Sequence, residues 1–580
     1  MSSLYPVGID AGATSLVMAW VNDAGHSEVL RDREGNRFIP SVAFFDDTRI
    51  AVGEEAELRG AGKPEHLARL AKLSLGRPVH DVPVRGEKFP PEVIQACLLH
   101  HLHRELDLRL GADRYRVVLT VPAFFGELRR KAMADSAEIA NLPLLDLLNE
   151  PTAAALAFLE HTGYFSATGR ALRPFRALVY NLSGYTFETT FLEITPGGVN
   201  TLAVDGNLSL GGRSWDERLA DCAAEQFIRK YGIDPRDDQT ARERLLVLAE
   251  RAKRILTLRP MAHFPLEYEG KQLDVMVTRE QFAQATSDLV DRTIEMAEQM
   301  LSTVGFGWPL VDRILLTGGA TQVPMIRQRL YQAAGCEPDY TVHPNEAVAR
   351  GAALYAQSLL KKGACGIRAS QFEVTNVATR SLGLQGIDPK TGKKINKILI
   401  HRGTPLPVTA TERFMIHPGR TKEVVITVLE GDSRDASECE VAAKALLKDL
   451  PSDLAEEWPV SVTYEYAANG RLHVEAHLCY TDRAVTLDLM QTAGMSSVQR
   501  ERWKALVTSQ APFAAFQKEI HRRRSMPIAY AASDDQDDSG LSEPATESLL
   551  ARARRWLTRT GAETNHAMTA SGAARSTPAT

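Results

Sequence analysis

Two short stretches of this chain carry residue types suited to holding phosphate groups. The first reads V-G-I-D-A-G-A-T-S-L-V-M-A-W over Val7–Trp20, and the second L-V-Y-N-L-S-G-Y-T-F-E-T-T-F-L-E-I over Leu178–Ile194. Each is an apolar strand, a turn of small and hydroxylic residues, and a returning strand. Turn amides that point inward form anion-binding concavities, Thr hydroxyls add donors, and an acid at the strand end can hold a hydrated cation. Two such hairpins facing each other make a clamp for a nucleotide's phosphates. A third stretch, Leu315–Pro324, reads as strand, Gly318-Gly319, helix, and strengthens the nucleotide-binding reading by its context. The two hairpins differ at one decisive place, because Asp10 is answered by the uncharged Asn181.

Hairpins of this kind need a scaffold, and the pattern up to about Gln357 supplies one. Tyr115–Val121 reads as a buried strand followed by a helix over Leu128–Ala140. Asn149–Leu159 opens a helix with Pro151 in its first turn, where the missing N–H is harmless. Arg313–Thr317 is another buried strand, with a helix around Met325–Gln332. Strands alternating with helices indicate an α/β architecture. After Lys361-Lys362-Gly363 the pattern becomes short strands and turns, from Val374 to about Tyr480. Val460, Val462, Tyr464 and Tyr466 alternate with polar residues, as do Leu472, Val474, Ala476 and Leu478, and Asn469-Gly470 marks a turn between the runs. A period of two is what a half-buried sheet requires. Residues 487–524 offer one or two modest helices. Ser533–Gly540 is an acidic run, and with the small polar residues of the last stretch it predicts disorder.

With 580 residues the chain is too long for one core, so several domains are expected. Its 44% hydrophobic and 24% charged content describes an ordinary globular protein. A net charge of −5 gives no electrostatic reason to expect nucleic-acid binding. The six cysteines are scattered without a C-x-x-C pair, which predicts reduced thiols rather than disulfides or zinc. No basic-then-apolar leader and no membrane-length apolar run is present, so a cytoplasmic location is expected.

On these residues the chain resembles the DnaK-type 70-kilodalton heat-shock chaperones. The resemblance covers G-I-D-A-G-A-T-S, V-L-T-V-P-A-F-F, L-L-N-E-P-T-A-A-A-L-A, L-G-G-R-S-W-D-E-R-L, E-R-A-K-R-I-L-T, L-T-G-G-A-T-Q-V-P and H-P-N-E-A-V-A-R-G-A-A. It implies an actin-like ATPase domain of two ribonuclease-H-like halves over 1–367 and a linker over 368–378. A β-sandwich peptide-binding domain over 379–483, a reduced helical lid over 484–530 and a tail over 531–580 follow. It also implies ATP with Mg2+ as cofactor, unfolded or extended polypeptides as clients, and J-domain and nucleotide-exchange co-chaperones as partners.

Carried over by motif, Asp10, Gly12, Ala13, Thr14 and Ser15 line the β- and γ-phosphates, and Asp10 holds the metal through water. Lys72 reaches toward the attacked phosphate, Glu150 orients the attacking water, and Thr186 belongs to the catalytic set. Gly184 and Thr186 belong to the second loop, Glu250, Lys253, Arg254, Gly318 and Gly319 grip the ribose and adenine, and Asn181, Tyr185, Gly211, Gly212, Ala320 and Asn345 complete the cofactor-binding set. Leu384, Phe414, Val424 and Ile426 fall on peptide-pocket positions, where plain sandwich core is the competing explanation. Arg471 stands where the family prefers an apolar residue. Pro122 and Arg130 match residues that relay the nucleotide state, and the aliphatic linker is represented only by Phe372-Glu373-Val374-Thr375, whose Glu weakens an apolar docking strand.

The departures bear on turnover. The family has Asp at Asn181, glycines at Ser183 and Tyr185, Arg at Gln322 and Asp at Asn345, and its subdomain is longer at Arg77–Pro91. A left-handed backbone at Tyr185 would cost about 1–2 kcal/mol, and the ring is expected to crowd the phosphates. The expectation is ATP binding with slow hydrolysis, against the alternative of an interaction scaffold that has lost turnover. A sugar kinase of the same fold is disfavoured by the peptide-binder-like second domain. In the tail, Leu549, Leu550, Trp556 and Leu557 share a helical stripe among Arg552, Arg554, Arg555 and Arg559, a pattern that fits a membrane surface, a partner or the chain itself.

Overall fold

A computed structural model describes the chain except for residues 1–3, 165–172, 363–372, 417–423, 448–457, 468–469, 481–483, 489–494 and 526–580. Phe372, Asn469, the acidic run and the tail stripe lie outside the described residues. Met1–His521 form one compact unit and Arg522–Thr580 a second. Among the described residues no helix is long and apolar enough to cross a membrane.

The repeated hairpins become repeated sheets. In the first, strands Ser27–Leu30, Ser15–Val21, Tyr5–Ala11, Tyr115–Val121 and Leu144–Asn149 lie in that order, and the last three run parallel. In the second the order is Gly198–Asn207, Phe187–Thr195, Phe175–Leu182 and Arg313–Thr317, again an antiparallel meander with a parallel strand beside its first member. Each phosphate-type turn therefore sits at the end of a strand flanked on both sides. Helices Ala347–Lys362 and Glu150–His161 pack together between the halves. Their contact depends on missing side chains, since a Cβ on Gly351 would stand 1.6 Å from the Ala153 carbonyl oxygen. A Cβ on Gly8 would likewise meet Ala349 oxygen at 2.3 Å.

The β-rich region forms two four-stranded sheets around a shared core. One has the order Lys394–Ile400, Leu382–Ile387, Val424–Glu430, Glu440–Leu447, and the other Val408–Ile416, Trp458–Tyr466, Leu472–Leu478, Ala484–Asp488. Val460, Val462, Tyr464 and Tyr466 face inward with Leu472, Val474, Ala476 and Leu478, as the alternation predicts.

Glu373–Thr375 is a strand, pairing parallel with Gly198–Asn207 so that Gly198 meets Glu373 and Val199 meets Val374. The Glu373 side chain is exposed, so edge pairing through the backbone avoids burying its charge. The helices after the sandwich are Ser497–Thr508 and Phe513–Ser525. Through Ile520 their apolar residues join the core of the first half.

Candidate functional site

The hairpin tips meet. A Cβ on Gly184 would lie 2.6 Å from Thr14 Cγ2 and 3.0 Å from its Oγ1, so the second turn approaches the first within van der Waals contact only because Gly184 has no side chain. Gly12 is equally confined, its Cβ position lying 2.5 Å from the Ser15 carbonyl oxygen. Ser183 and Thr186 close the second turn: Ser183 N–H donates to Thr186 oxygen at 3.0 Å and their hydroxyls bond at 2.8 Å. Tyr185 keeps a negative φ, so the left-handed strain considered for it does not arise. Its ring is half-buried, which pushes the phenol pKa up, and its charged surroundings include Arg213 and, from the other half, Arg69.

Beneath the tips lies a buried polar cluster. Lys72 donates to Glu150 Oε1 at 2.6 Å, and both residues are almost fully buried. The short helix Ala71–Ser74 that presents Lys72 starts from Leu70 at φ 62°, a left-handed conformation that costs a non-glycine residue about 1–2 kcal/mol. Strain of this kind tends to collect at functional sites. Asn181 Nδ2 donates to Glu150 Oε2 at 3.0 Å and to Glu188 Oε2 at 3.4 Å. Glu188, which was not anticipated, accepts the Ala123 N–H at 2.5 Å through its other oxygen and is 1% exposed. It is the cross-strand partner of Asn181. An acid two places after Thr186, inside the apolar and threonine run F-E-T-T-F-L, was the available signal.

The electrostatics follow from this crowding. Burial, then Glu150, push Asp10 up to about 7, opposed by Lys72 and the Thr120 hydroxyl. Burial and Glu150 push Glu188 up to about 8, opposed by the Ala123 N–H, Asn181 and Lys72. One ammonium among three carboxylates leaves a deficit of positive charge, which a hydrated cation beside Asp10 fits. Among the described residues no group of three or more His, Cys, Asp or Glu has metal-holding geometry.

The glycines assigned to the nucleoside side are closely confined. Gly318 adopts φ +84°, and its Cβ position is closed by the Leu182 oxygen at 2.3 Å. Gly319 faces the Asn345 amide, with Ala320 buried beside it. A Cβ on Gly211 would strike the Tyr185 backbone. Lys253 bonds the Gly212 carbonyl at 3.0 Å and pairs with Asp216 at 2.8 Å. Glu250 and Arg254 form an outward surface pair at 2.6 Å.

A hydrogen-bonded path leaves this cluster. From Ala123, whose N–H holds Glu188, the carbonyl accepts from Arg130 at 3.3 Å, and Arg130 also donates to Asn149 Oδ1 at 2.6 Å. Asn149 in turn donates to Asn376 at 2.9 Å, just past the linker strand. Pro122 stands one residue before Ala123, its carbonyl accepting from Phe125.

In the sandwich, Leu384 and Ile426 are 6% and 5% exposed within the core, and Phe414 packs partly buried against it from the opposite sheet. Val424 begins its strand, and its side chain is outside the described residues. Arg471 immediately precedes strand Leu472–Leu478, and its charge acts on Glu127 of the first half. Leu384 sits in the other sheet of the sandwich.

Facing phosphate turns on duplicated sheets, with a glycine-lined nucleoside wall and an attached β-rich domain, define a nucleotide-clamping protein that carries a second binding module. A family model described as Hsp70 protein matches residues 6–84 and 63–569. The chain is 34% identical over 481 residues to the chaperone protein DnaK of Thermotoga neapolitana, spanning 81% of this chain and 78% of that one. Identity is 32% over 491 residues with DnaK of Thermosipho melanesiensis, covering 83% and 80%. With DnaK of Halobacterium salinarum it is 31% over 506 residues, covering 86% and 77%. The chain belongs to the Hsp70 family, and as such is an ATP-binding molecular chaperone.

Proposed function

We propose that this chain binds ATP with magnesium between the two hairpin turns, hydrolyses it slowly, and holds extended or unfolded polypeptides on its sandwich domain. In this reading residues 1–367 are an actin-like ATPase domain, and the protein works in the cytoplasm with J-domain and nucleotide-exchange partners. The turn amides around Gly12–Ser15 and Ser183–Thr186 bind the phosphates, and Gly318, Gly319 and Lys253 flank the nucleoside. Magnesium, when bound, would neutralise phosphate charge beside Asp10. Lys72 stabilises negative charge that develops during transfer, and Glu150 orients water.

The observation that carries slow hydrolysis is the placement of the Asn181 amide between Glu150 and Glu188. An amide there is a neutral donor that ties up Glu150, where a carboxylate would attract a hydrated cation. Calorimetry with ATP in the presence and absence of magnesium tests the binding half of this reading. Tight, magnesium-dependent binding with single-turnover hydrolysis slower than release supports it; the absence of ATP binding refutes it. The scaffold reading is favoured instead if clients bind identically with and without nucleotide.

A further inference from the structure

The second phosphate turn uses most of its own donors internally. Ser183 N–H donates to the Thr186 carbonyl at 3.0 Å, Thr186 N–H to Ser183 Oγ at 3.3 Å, and the two hydroxyls bond at 2.8 Å. The Tyr185 phenol is the exception. Among the described residues it has no hydrogen-bond partner, although its side chain is half-buried. A polar hydrogen drawn partly out of water without an acceptor is unfavourable, so an incoming acceptor stabilises it. The surrounding chain fixes where this phenol stands. Arg213 N–H donates to the Gly184 carbonyl at 2.7 Å, and a Cβ on Gly211 would lie 2.3 Å from the Tyr185 carbonyl carbon. The turn is thus packed flush against the start of helix Gly212–Tyr231. The charges that act on the phenol are Arg213, Asp216 and Glu217 of that helix and Arg69 from the other half. Arg69 ends strand Leu67–Arg69, and the chain runs on directly through Leu70 to Lys72. Tyr185 is therefore where the second turn faces the segment that carries Lys72.

We propose that Tyr185 is a specificity-determining residue of the nucleotide site, whose phenol O–H donates to the outermost phosphate of a nucleoside triphosphate and so distinguishes it from a diphosphate. This rests on the reading of the cleft as an ATP site and deepens it. The other side-chain donors of the turn are committed to one another, whereas the phenol is free and stands toward Lys72, the group assigned to the attacked phosphate. Two guanidiniums near the phenol favour an anionic acceptor. The opposing acids are already engaged, Asp216 by Lys253 at 2.8 Å and Glu217 by Arg213 at 3.5 Å, while Arg69 pairs with Glu57 at 3.0 Å. A diphosphate ends one phosphate short and leaves the phenol without its acceptor. A hydrogen bond to a charged acceptor corresponds to roughly ten- to a hundredfold in affinity. A ring that merely crowds the phosphates predicts the opposite sign, because its removal would tighten binding.

Isothermal calorimetry of the full chain with magnesium and either ATP or ADP tests this on wild type, Tyr185→Phe and Tyr185→Gly, with chromatography confirming intact ATP after each titration. Tyr185→Phe keeps the ring and removes only the donor. It should weaken ATP binding by roughly ten- to a hundredfold and leave ADP within about twofold. Tyr185→Gly should bind ATP no better than Tyr185→Phe. Thermal melts of unliganded Tyr185→Phe should match wild type, since the phenol O–H has no partner in the fold. In phosphorus NMR of bound ATP, the γ resonance should move between wild type and Tyr185→Phe while the α resonance stays in place. An ATP-to-ADP affinity ratio that is the same in wild type and Tyr185→Phe overturns the proposal, whether both affinities hold or both fall together. Tighter ATP binding by either variant shows a crowding ring and overturns it as well. If wild type binds neither nucleotide, the ATP reading falls and takes this inference with it; if wild type binds both and the ratio is unmoved, only the role of Tyr185 is lost.

Discussion

Asn181→Asp is the most informative single change, because the wild-type amide is doubly engaged. Its Nδ2 donates to Glu150 at 3.0 Å and to Glu188 at 3.4 Å, both buried. Hydrogen bonds to charged groups are worth about 1.5–3 kcal/mol each, with the longer one at the weak end. Aspartate would remove both and add a fourth acid beside Asp10, Glu150 and Glu188. The unliganded variant should therefore lose about 2–4 kcal/mol. With magnesium and ATP the added carboxylate gains a cation to face, so most of that loss should be recovered. If one missing electrostatic contact is what slows the reaction, restoring it should lower the barrier by about 2–4 kcal/mol, a rate gain of roughly thirty- to a thousandfold. Quench-flow single-turnover hydrolysis and thermal melts with and without magnesium–ATP read both effects. Brisk wild-type turnover, or a variant no faster and no less stable than wild type, would refute the reasoning.

Other sites give independent checks. Lys72→Met leaves Glu150 as an uncompensated buried charge and should cost about 3–5 kcal/mol of stability; the double variant with Glu150→Gln should recover most of it in chemical denaturation. Gly184→Val drives a side chain into Thr14, so ATP affinity should fall by at least about tenfold, with Thr14→Ser in the same chain restoring part of it by removing Cγ2. Docking of the sandwich should also depend on pH. Burial at the seam, with Glu430 nearby, pushes Glu127 up to about 8, against Arg130, the Leu472 N–H and Arg471. The docked form thus holds a proton that an exposed Glu127 releases in the ordinary carboxylate range. Docking should strengthen as pH falls from 8 toward 6 and weaken as pH rises through this window, and Glu127→Gln should flatten the response. Energy transfer between dyes on the two domains measures it.

Much of the scaffold was legible from local pattern. Tyr115–Val121 and Arg313–Thr317 are strands with the bounds their apolar runs suggest. The alternating runs at Val460–Tyr466 and Leu472–Leu478 do pack inward. Glycines at 12, 184 and 318 stand where a side chain would collide. Glu188 was passed over because an acid within a strand looks like an ordinary solvent-facing residue until the neighbouring sheet positions bury it. Arg471 stands where the family prefers an apolar residue, and the packed chain adds that its charge acts on Glu127 of the first half.

What the sequence determined by itself was periodicity, turn chemistry and the duplicated hairpin, since these depend on residues close together along the chain. Contacts between distant segments decided the rest. The Asn181–Glu150–Glu188 triad, the linker strand on Gly198–Asn207 and the burial of Trp503 and Phe516 against Phe45 and Phe89 join residues up to hundreds of positions apart. An amphipathic helix announces that it must cover an apolar surface, and only the packed chain shows which surface that is.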